Sequence, residues 1–374
     1  IKVISLRSRS PKECASEVRR IAELQAGTPF HLDKGPLLRV TLLDLDENEH
    51  VLIIVLHHII ADGWSISVLT RELVACYTAI SRGIPHALPP LQLQYGDFAC
   101  WQREKQTPQI LKLQRDYWAN KLKGAPSVIT LPARNEYVGK AKISGATVAF
   151  ELPSEIGNAI RVHAQTTKTT VYTTLLTAYF VLLFRISGQS DLTIGTPVGH
   201  RPRPEFEPLI GLFLNMVPLR VCCDASMDFV GLHKEVHSIA LDAFAHGDLP
   251  FEQIVNAAKT IRDASQSPLF NVVFVMQNAP SAELILDSID ITPVEFESAV
   301  AKYDITLALQ DDGNIMSGSL EYATDIFDLR TAKQLIDVFV KLVDTMTKNP
   351  LELLLDQESY PEQVANTDDD EFTF

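Results

Sequence analysis

With 374 residues, 46% of them hydrophobic and 21% charged, the chain can bury one or two sizeable cores and is not a disordered polymer. Its formal net charge of −14, with no Lys/Arg run to offset it, argues against nucleic-acid binding, and an acidic partner would have to dock on a local basic or apolar patch. Cys14, Cys76, Cys100, Cys222 and Cys223 show no C-x-x-C spacing, which predicts reduced, buried thiols in a cytosolic protein rather than a disulfide frame. The start, Ile1-Lys2-Val3-Ile4-Ser5, has no signal-peptide pattern. The most apolar run, Leu175 to Phe184, is broken by Thr177 and Tyr179 and is too short for a bilayer, so a soluble, cytoplasmic protein without membrane contact is expected.

In chain order, Glu13 to Gln25 has helical composition and stops at Gly27-Thr28-Pro29. Leu37 to Leu45 and Val51 to His57 are β-rich and flank Asp46-Glu47-Asn48-Glu49, a hairpin signal. Val51 to Leu56 is apolar on both faces, which predicts an interior strand of a covered sheet. After Gly63 the period changes: Ile66, Leu69, Leu73, Tyr77 and Ile80 recur at helical spacing until Gly83-Ile84-Pro85. A second helical pattern covers Tyr95 to Leu122 with a break near Thr107-Pro108. Further helices are expected at Ser154 to Thr166, Thr170 to Ser187, Phe229 to His246 and Leu329 to Lys348. Strands are expected at Asp191 to Pro197, Phe270 to Gln277, Asp304 to Gln310 and Ser317 to Tyr322. The class is α/β (α+β). Residues 1–125 read as an N-terminal lobe, 126–145 as a Pro/Gly-marked linker, 146–355 as a C-terminal lobe and 356–374 as an acidic tail or linker.

Chemistry concentrates where the strand ending near His57 turns into the helix after Gly63. Imidazoles in an apolar setting need partners, so His57 and His58 at a strand end suggest a polar cavity. Neighbouring strand residues face opposite ways, so one ring faces the reaction space and the other the surrounding structure. Asp62 lies in the turn, and Gly63 permits either positive φ or close backbone approach. A satisfied core histidine is the bland account of either ring alone; the whole run His-His-x-x-x-Asp-Gly points to chemistry. A metal site lacks further ligands nearby. In His233-Lys234-Glu235-Val236-His237 the glutamate is misplaced for a zinc protease, and a solvated helical face is expected there. No G-x-S-x-G or P-loop pattern occurs, so a histidine handling protons directly is the best candidate.

The run His57-His58-Ile59-Ile60-Ala61-Asp62-Gly63-Trp64-Ser65 resembles the signature of condensation domains of nonribosomal peptide synthetases. Further segments resemble that family's motifs in the expected order: Tyr95 to Arg103, Ile194 to Arg201 continuing through Leu209 to Asn215, His246 to Glu252, and Ser267 to Val272. The resemblance covers nearly the whole chain. It implies two chloramphenicol acetyltransferase-like lobes arranged as a V around a tunnel, with the first lobe incomplete. Donor and acceptor peptidyl carrier domains would present phosphopantetheine thioesters from opposite ends, beside an adjacent adenylation domain. The domain itself would bind no cofactor and no metal, and the acceptor amine would attack the donor thioester to form an amide.

By the same resemblance His58 matches the active-site histidine, with His57 beside it. Asp62 is a structural carboxylate held by Arg201, the Gly63 N–H approaches the reacting carbonyl, and Trp64 and Asn215 line the substrate channel. Family members carry further motifs ahead of the position matching Ile1, so a truncated form is expected. The alternatives are a coenzyme A-dependent acyltransferase of the same superfamily, which shares His-x-x-x-Asp-Gly, and a non-catalytic recruitment module. An epimerisation domain should differ at Leu209 to Asn215. A heterocyclisation domain should carry aspartates in place of the histidines.

Overall fold

The computed structural model describes residues 1–85, 88–131, 144–199, 201–258, 268–277, 286, 289–292, 294 and 300–354. The expected acidic tail, His200, Ser267 and most of the linker lie outside the described residues. The chain divides into two units. The first gathers Ile1–Glu104, Arg201–Leu214 and Ala279–Glu297; the second gathers Lys105–His200, Asn215–Asn278 and Ser298–Phe374.

In the first unit, β1 (Lys2–Ser5) pairs in parallel with β2 (Leu38–Asp44), and β2 pairs antiparallel with β3 (His50–Leu56). Leu45 N and Asp46 N both donate to Glu49 O, closing the expected hairpin. Helix α1 (Pro11–Gly27) opens with Ser10 N donating to Glu13 Oε2 at 2.8 Å. Cys14, Val18 and Ile21 recur at helical spacing and meet Leu6 and Leu43, with Val51 and Ile53 of β3 packed alongside.

That packing corrects the reading of β3 as an interior strand. In the described sheet order β1-β2-β3 it is an edge, and Leu52, on the face opposite Val51 and Ile53, is 46% exposed. Helix α1 packs on the face of Val51 and Ile53, and by the period of two Leu52 points to the other face, where Ile54 and Leu56 are only half-buried. Helix α2 (Gly63–Ser81) forms where expected, but its buried residues are Ser65, Val68 and Ala79, while Ile66, Leu73, Tyr77 and Ile80 are exposed. Helix α3 (Tyr95–Lys105) contributes Tyr95, Phe98 and Trp101 to an aromatic cluster with Phe206, Leu209 and Phe213.

The second unit is built on a six-stranded sheet, β4-β9-β8-β7-β5-β6. These strands are β4 (Gly145–Leu152), β5 (Asp191–Gly199), β6 (Leu214–Cys222), β7 (Val272–Gln277), β8 (Ile305–Asp311) and β9 (Met316–Ala323). Pairings β4/β9 and β8/β9 are antiparallel, whereas β5/β7 and β7/β8 are parallel. Helix α4 is Pro108–Lys121, so the pattern from Tyr95 does break at Thr107, whose hydroxyl caps α4. Helices α5 (Ser154–Thr167), α6 (Val171–Ser187), α7 (Phe229–Ala245), α8 (Phe251–Ala258) and α9 (Leu329–Lys348) complete the unit.

Helix α6 is buried continuously from Thr173 to Phe184, which explains its apolar composition. No single helix among the described residues is long and apolar enough to cross a membrane. Within the expected linker, Ile129 and Leu131 are buried. Asn271 clasps this segment: its Oδ1 accepts from Ile129 N at 2.8 Å and its Nδ2 donates to Ile129 O at 2.9 Å. The ring of Phe270 occupies the space a Cβ would need at Gly195, so glycine lets β5 lie against that ring. All five cysteines are free; Cys14 and Cys223 are buried, but Cys100 and Cys222 are exposed, correcting the expectation of uniformly buried thiols.

Candidate active site

Strand β3 ends at Leu56, and His57 caps a single 3-10 turn, His58–Ile60, by accepting from Ile59 N through Nδ1 at 3.1 Å. The His57 proton therefore sits on Nε2, and Phe30 meets the ring edge-on at 5.9 Å. His58 is oriented the other way. Its Nδ1 lies 2.7 Å from Ala61 O. A carbonyl oxygen only accepts, so Nδ1 carries a proton, and in the neutral ring the lone pair then lies on Nε2. His58 is one of the exposed residues of the turn.

Asp62 caps α2 and is 3% exposed. Its Oδ1 accepts from Ser65 N at 2.8 Å, Ser65 Oγ at 2.7 Å and Arg201 Nη2 at 3.1 Å, and its Oδ2 accepts from Phe213 N at 2.9 Å. A buried carboxylate with four donors is fully compensated. Arg201 also donates through Nη1 to Phe206 O and to Leu209 O, at 2.6 and 2.8 Å, and its guanidinium lies 3.8 Å above the Phe213 ring. Burial pulls the Arg201 pKa below its ordinary value, against the opposing pull of Asp62. Trp64 Nε1 donates to Glu207 O at 2.8 Å. Tyr95 donates its hydroxyl to Leu212 O at 2.8 Å, and burial and the nearby Asp62 charge raise its pKa. The segment 201–213 is thus strapped to the start of α2 by hydrogen bonds, an ion pair and aromatic contacts.

Gly63 opens α2 without a positive φ, so the freedom the sequence allowed is unused; instead, nothing lies within 4 Å of where its Cβ would be. Asn215 belongs to the second unit. Its Nδ2 donates to Gly247 O and Leu249 O, both at 2.7 Å, and its Oδ1 accepts from Phe251 N at 3.1 Å. Both of its amide hydrogens hold the 247–251 loop. The structure therefore brings His57, His58, Asp62, Gly63, Trp64 and Arg201 into one unit and places Asn215 in the other.

Sequence reasoning missed Ser65, Tyr95, Gly211 and Phe213 as members of this cluster. Ser65 was detectable, since Asp-x-x-Ser at a helix start places the serine over the capping carboxylate.

Among the described residues no group of His, Cys, Asp and Glu is arranged to hold a metal ion. The solvated face expected at His233 and His237 is overturned for His233, which is 3% exposed. Its Nδ1 is 3.3 Å from His163 Nε2 and its Nε2 3.5 Å from Thr174 Oγ1, while His237 Nδ1 is 3.3 Å from Thr173 Oγ1. Burial and the two neighbouring imidazoles lower the His233 pKa to about 4.

A strand, a two-histidine turn and a helix whose capping carboxylate is gripped by a distant arginine define a mixed α/β protein with an exposed imidazole in the unit that carries the turn. The family model for the Condensation domain matches residues 1–367, and the chain belongs to that family. It is 35% identical over 347 residues to malpinin synthetase of Mortierella alpina, covering 93% of this chain and 4% of that protein. It is 37% identical over 337 residues to phosphinothricin tripeptide synthetase PhsC of Streptomyces viridochromogenes, covering 90% and 31%. The chain thus spans a small part of the curated relatives it matches. Among solved structures, the X-domain from teicoplanin biosynthesis aligns with a TM-score of 0.82 at 24% identity, covering 95% of this chain and 81% of that one. The first condensation domain of the calcium-dependent antibiotic synthetase aligns with a TM-score of 0.73 at 18% identity, covering 95% and 77%. These likenesses establish the fold, the chloramphenicol acetyltransferase-like fold of condensation domains.

Proposed function

We propose that the chain catalyses amide-bond formation between a donor acyl or peptidyl thioester and an acceptor aminoacyl thioester, each on the phosphopantetheine arm of a carrier domain. The partners are these two peptidyl carrier domains and a neighbouring adenylation domain, and the setting is the cytoplasm. The cofactor arm belongs to the partners. Membership of the condensation-domain family and the similarity to peptide synthetases support this reading.

One observation carries the chemistry: the exposed His58 ring, protonated at Nδ1 by its bond to Ala61 O, offers Nε2 as an acceptor. The acceptor's neutral amine attacks the donor thioester carbon, forming the C–N bond and placing negative charge on oxygen. Collapse of this tetrahedral species breaks the C–S bond. Nε2 accepts a hydrogen bond from the attacking amine, orients its lone pair and receives its proton, which then passes to the departing thiolate. An α-ammonium group loses its proton near neutral pH, so orientation contributes more here than base strength. Open space before Gly63, at the N-terminus of α2, suits the developing oxyanion.

A second reading, recruitment without catalysis, draws on the likeness to the X-domain, which has been captured in complex with OxyB. The free acceptor nitrogen of His58 favours catalysis. With both carriers loaded and flanking this chain, His58→Ala should lower dipeptide transfer, followed by intact-mass spectrometry, by about 100- to 10,000-fold. Unchanged transfer would refute the assignment. Transfer from a free coenzyme A thioester at the same rate would instead favour the acyltransferase alternative.

A further inference from the structure

Ser65 sits on the first turn of α2, is completely buried, and has four polar neighbours. Its Oγ lies 2.7 Å from Asp62 Oδ1, 2.8 Å from Gly211 O, 3.0 Å from Gly211 N and 3.0 Å from Arg201 Nη2. A hydroxyl has one proton and two lone pairs. The N–H groups of Gly211 and Arg201 fill the lone pairs, and the proton goes to the charged acceptor, Asp62, in preference to the Gly211 carbonyl. Gly211 is fixed from its other side as well: the Tyr95 ring occupies the place of a Cβ there, and the Tyr95 hydroxyl holds Leu212 O. Ser65 is therefore the joint between the start of α2 and a strap that has little freedom to move.

The same joint reaches His58. The carbonyl that accepts from His58 Nδ1 is that of Ala61, and it lies in the planar peptide group joining Ala61 to Asp62. Asp62 N and Cα belong to that plane, so pinning the Asp62 side chain restrains one edge of it. Four donors pin it, and Ser65 supplies two of them, its backbone N–H and its hydroxyl.

We propose that Ser65 is a positioning residue for His58: its buried hydroxyl locks Asp62 to the 201–213 strap and so aims the Ala61 carbonyl at Nδ1. Loss of the hydroxyl lets the peptide plane tilt and loosens the Nδ1–H bond. The ring then samples the tautomer protonated at Nε2, which donates where an acceptor is needed. The reaction this serves rests on the condensation reading, but the geometry does not.

The test is a spectrum of the whole chain with 15N-labelled histidine, His58 being assigned by its loss in His58→Gln. In the wild type His58 should show a protonated Nδ1 and an unprotonated Nε2. In Ser65→Ala the two nitrogen shifts should move toward each other, and carrier-to-carrier transfer should fall by roughly 10- to 100-fold, taking the orienting partners of metal-bound histidines as the guide. Ser65→Cys puts a slightly larger, weakly hydrogen-bonding thiol in the same place; it should shift the same way and decides the matter if Ser65→Ala fails to fold. His58 shifts identical to wild type in a folded variant overturn the proposal, whatever its activity. Because the spectra need no substrate, a chain that makes no amide but shows the shift sinks the condensation reading and leaves the Ser65 assignment standing.

Discussion

Acidification should destabilise the second unit through His233, by an amount the structure lets one work out. The ring is 3% exposed, faces His163 and His237, and has its pKa lowered from 6.5 to about 4. Above pH 6.5 it is neutral in both folded and unfolded chains and contributes no pH dependence. Between pH 6.5 and 4 the unfolded chain takes up a proton that the folded chain refuses, so stability falls as pH falls. Below pH 4 both states are protonated and the loss has reached its limit. A difference of about 2.5 pKa units at 1.36 kcal/mol each gives a limit of about 3 kcal/mol, of which about 2 kcal/mol is lost between pH 7 and pH 5. The assay is urea unfolding of the wild type and His233→Gln across that range, followed by far-UV circular dichroism. Glutamine cannot titrate, so the stability gap between the two proteins should shift by about 2 kcal/mol in favour of the variant at pH 5. His163, whose pKa burial also lowers and whose Nε2 lies 3.3 Å from His233, titrates with it, so His163→Gln in the same series separates the two rings. A gap that stays constant with pH would show that the imidazole is solvated, and the reasoning would be wrong.

Arg201→Ala would leave Asp62 buried without its counter-ion and should cost about 3–5 kcal/mol, read as a fall in thermal midpoint. Arg201→Lys should not rescue it, because one ammonium cannot reach Asp62, Ser65, Phe206 O and Leu209 O together. Gly211→Ala would drive a methyl into the Tyr95 ring and should lower stability, while the same change combined with Tyr95→Ala should recover part of the loss in a double-mutant cycle. If Gly211→Ala were neutral, the strap could not be as tightly held as the hydrogen bonds imply.

The long amphipathic elements were legible because their periods are long enough to average out exceptions. Helix α9 has the limits its pattern predicts, and the break between α3 and α4 was visible in Thr107-Pro108. Strand β6 is hidden in the sequence because Pro218 argues against an interior strand; it lies at the end of the described sheet order, where a missing N–H does least harm. Strand β4 begins Gly145-Ala146, residues of low strand propensity that pairing with β9 holds in the sheet. The i, i+4 relation of His233 to His237 is a misleading guide taken alone. Phe229, Leu232, Val236, Ala240 and Ala243 mark the buried face of α7, and His233 falls within that arc. At the site, the His-His-x-x-x-Asp-Gly run stood out because polar groups are rare beside an apolar strand. The bond of Ser65 to Asp62 was readable from the local Asp-x-x-Ser spacing, but its bonds to Gly211, 146 positions away, are encoded by no local pattern.

The ion pair between Asp62 and Arg201 spans 139 positions of the chain. During synthesis the histidine turn therefore emerges well before the arginine that braces it, by on the order of ten seconds at ordinary elongation rates. Through that interval the carboxylate has only its own helix to cap, and the histidine-bearing unit waits, unfinished, for a segment encoded beyond several helices of the other unit. Slowing the ribosome between these two points would lengthen the time for which the first unit stands incomplete.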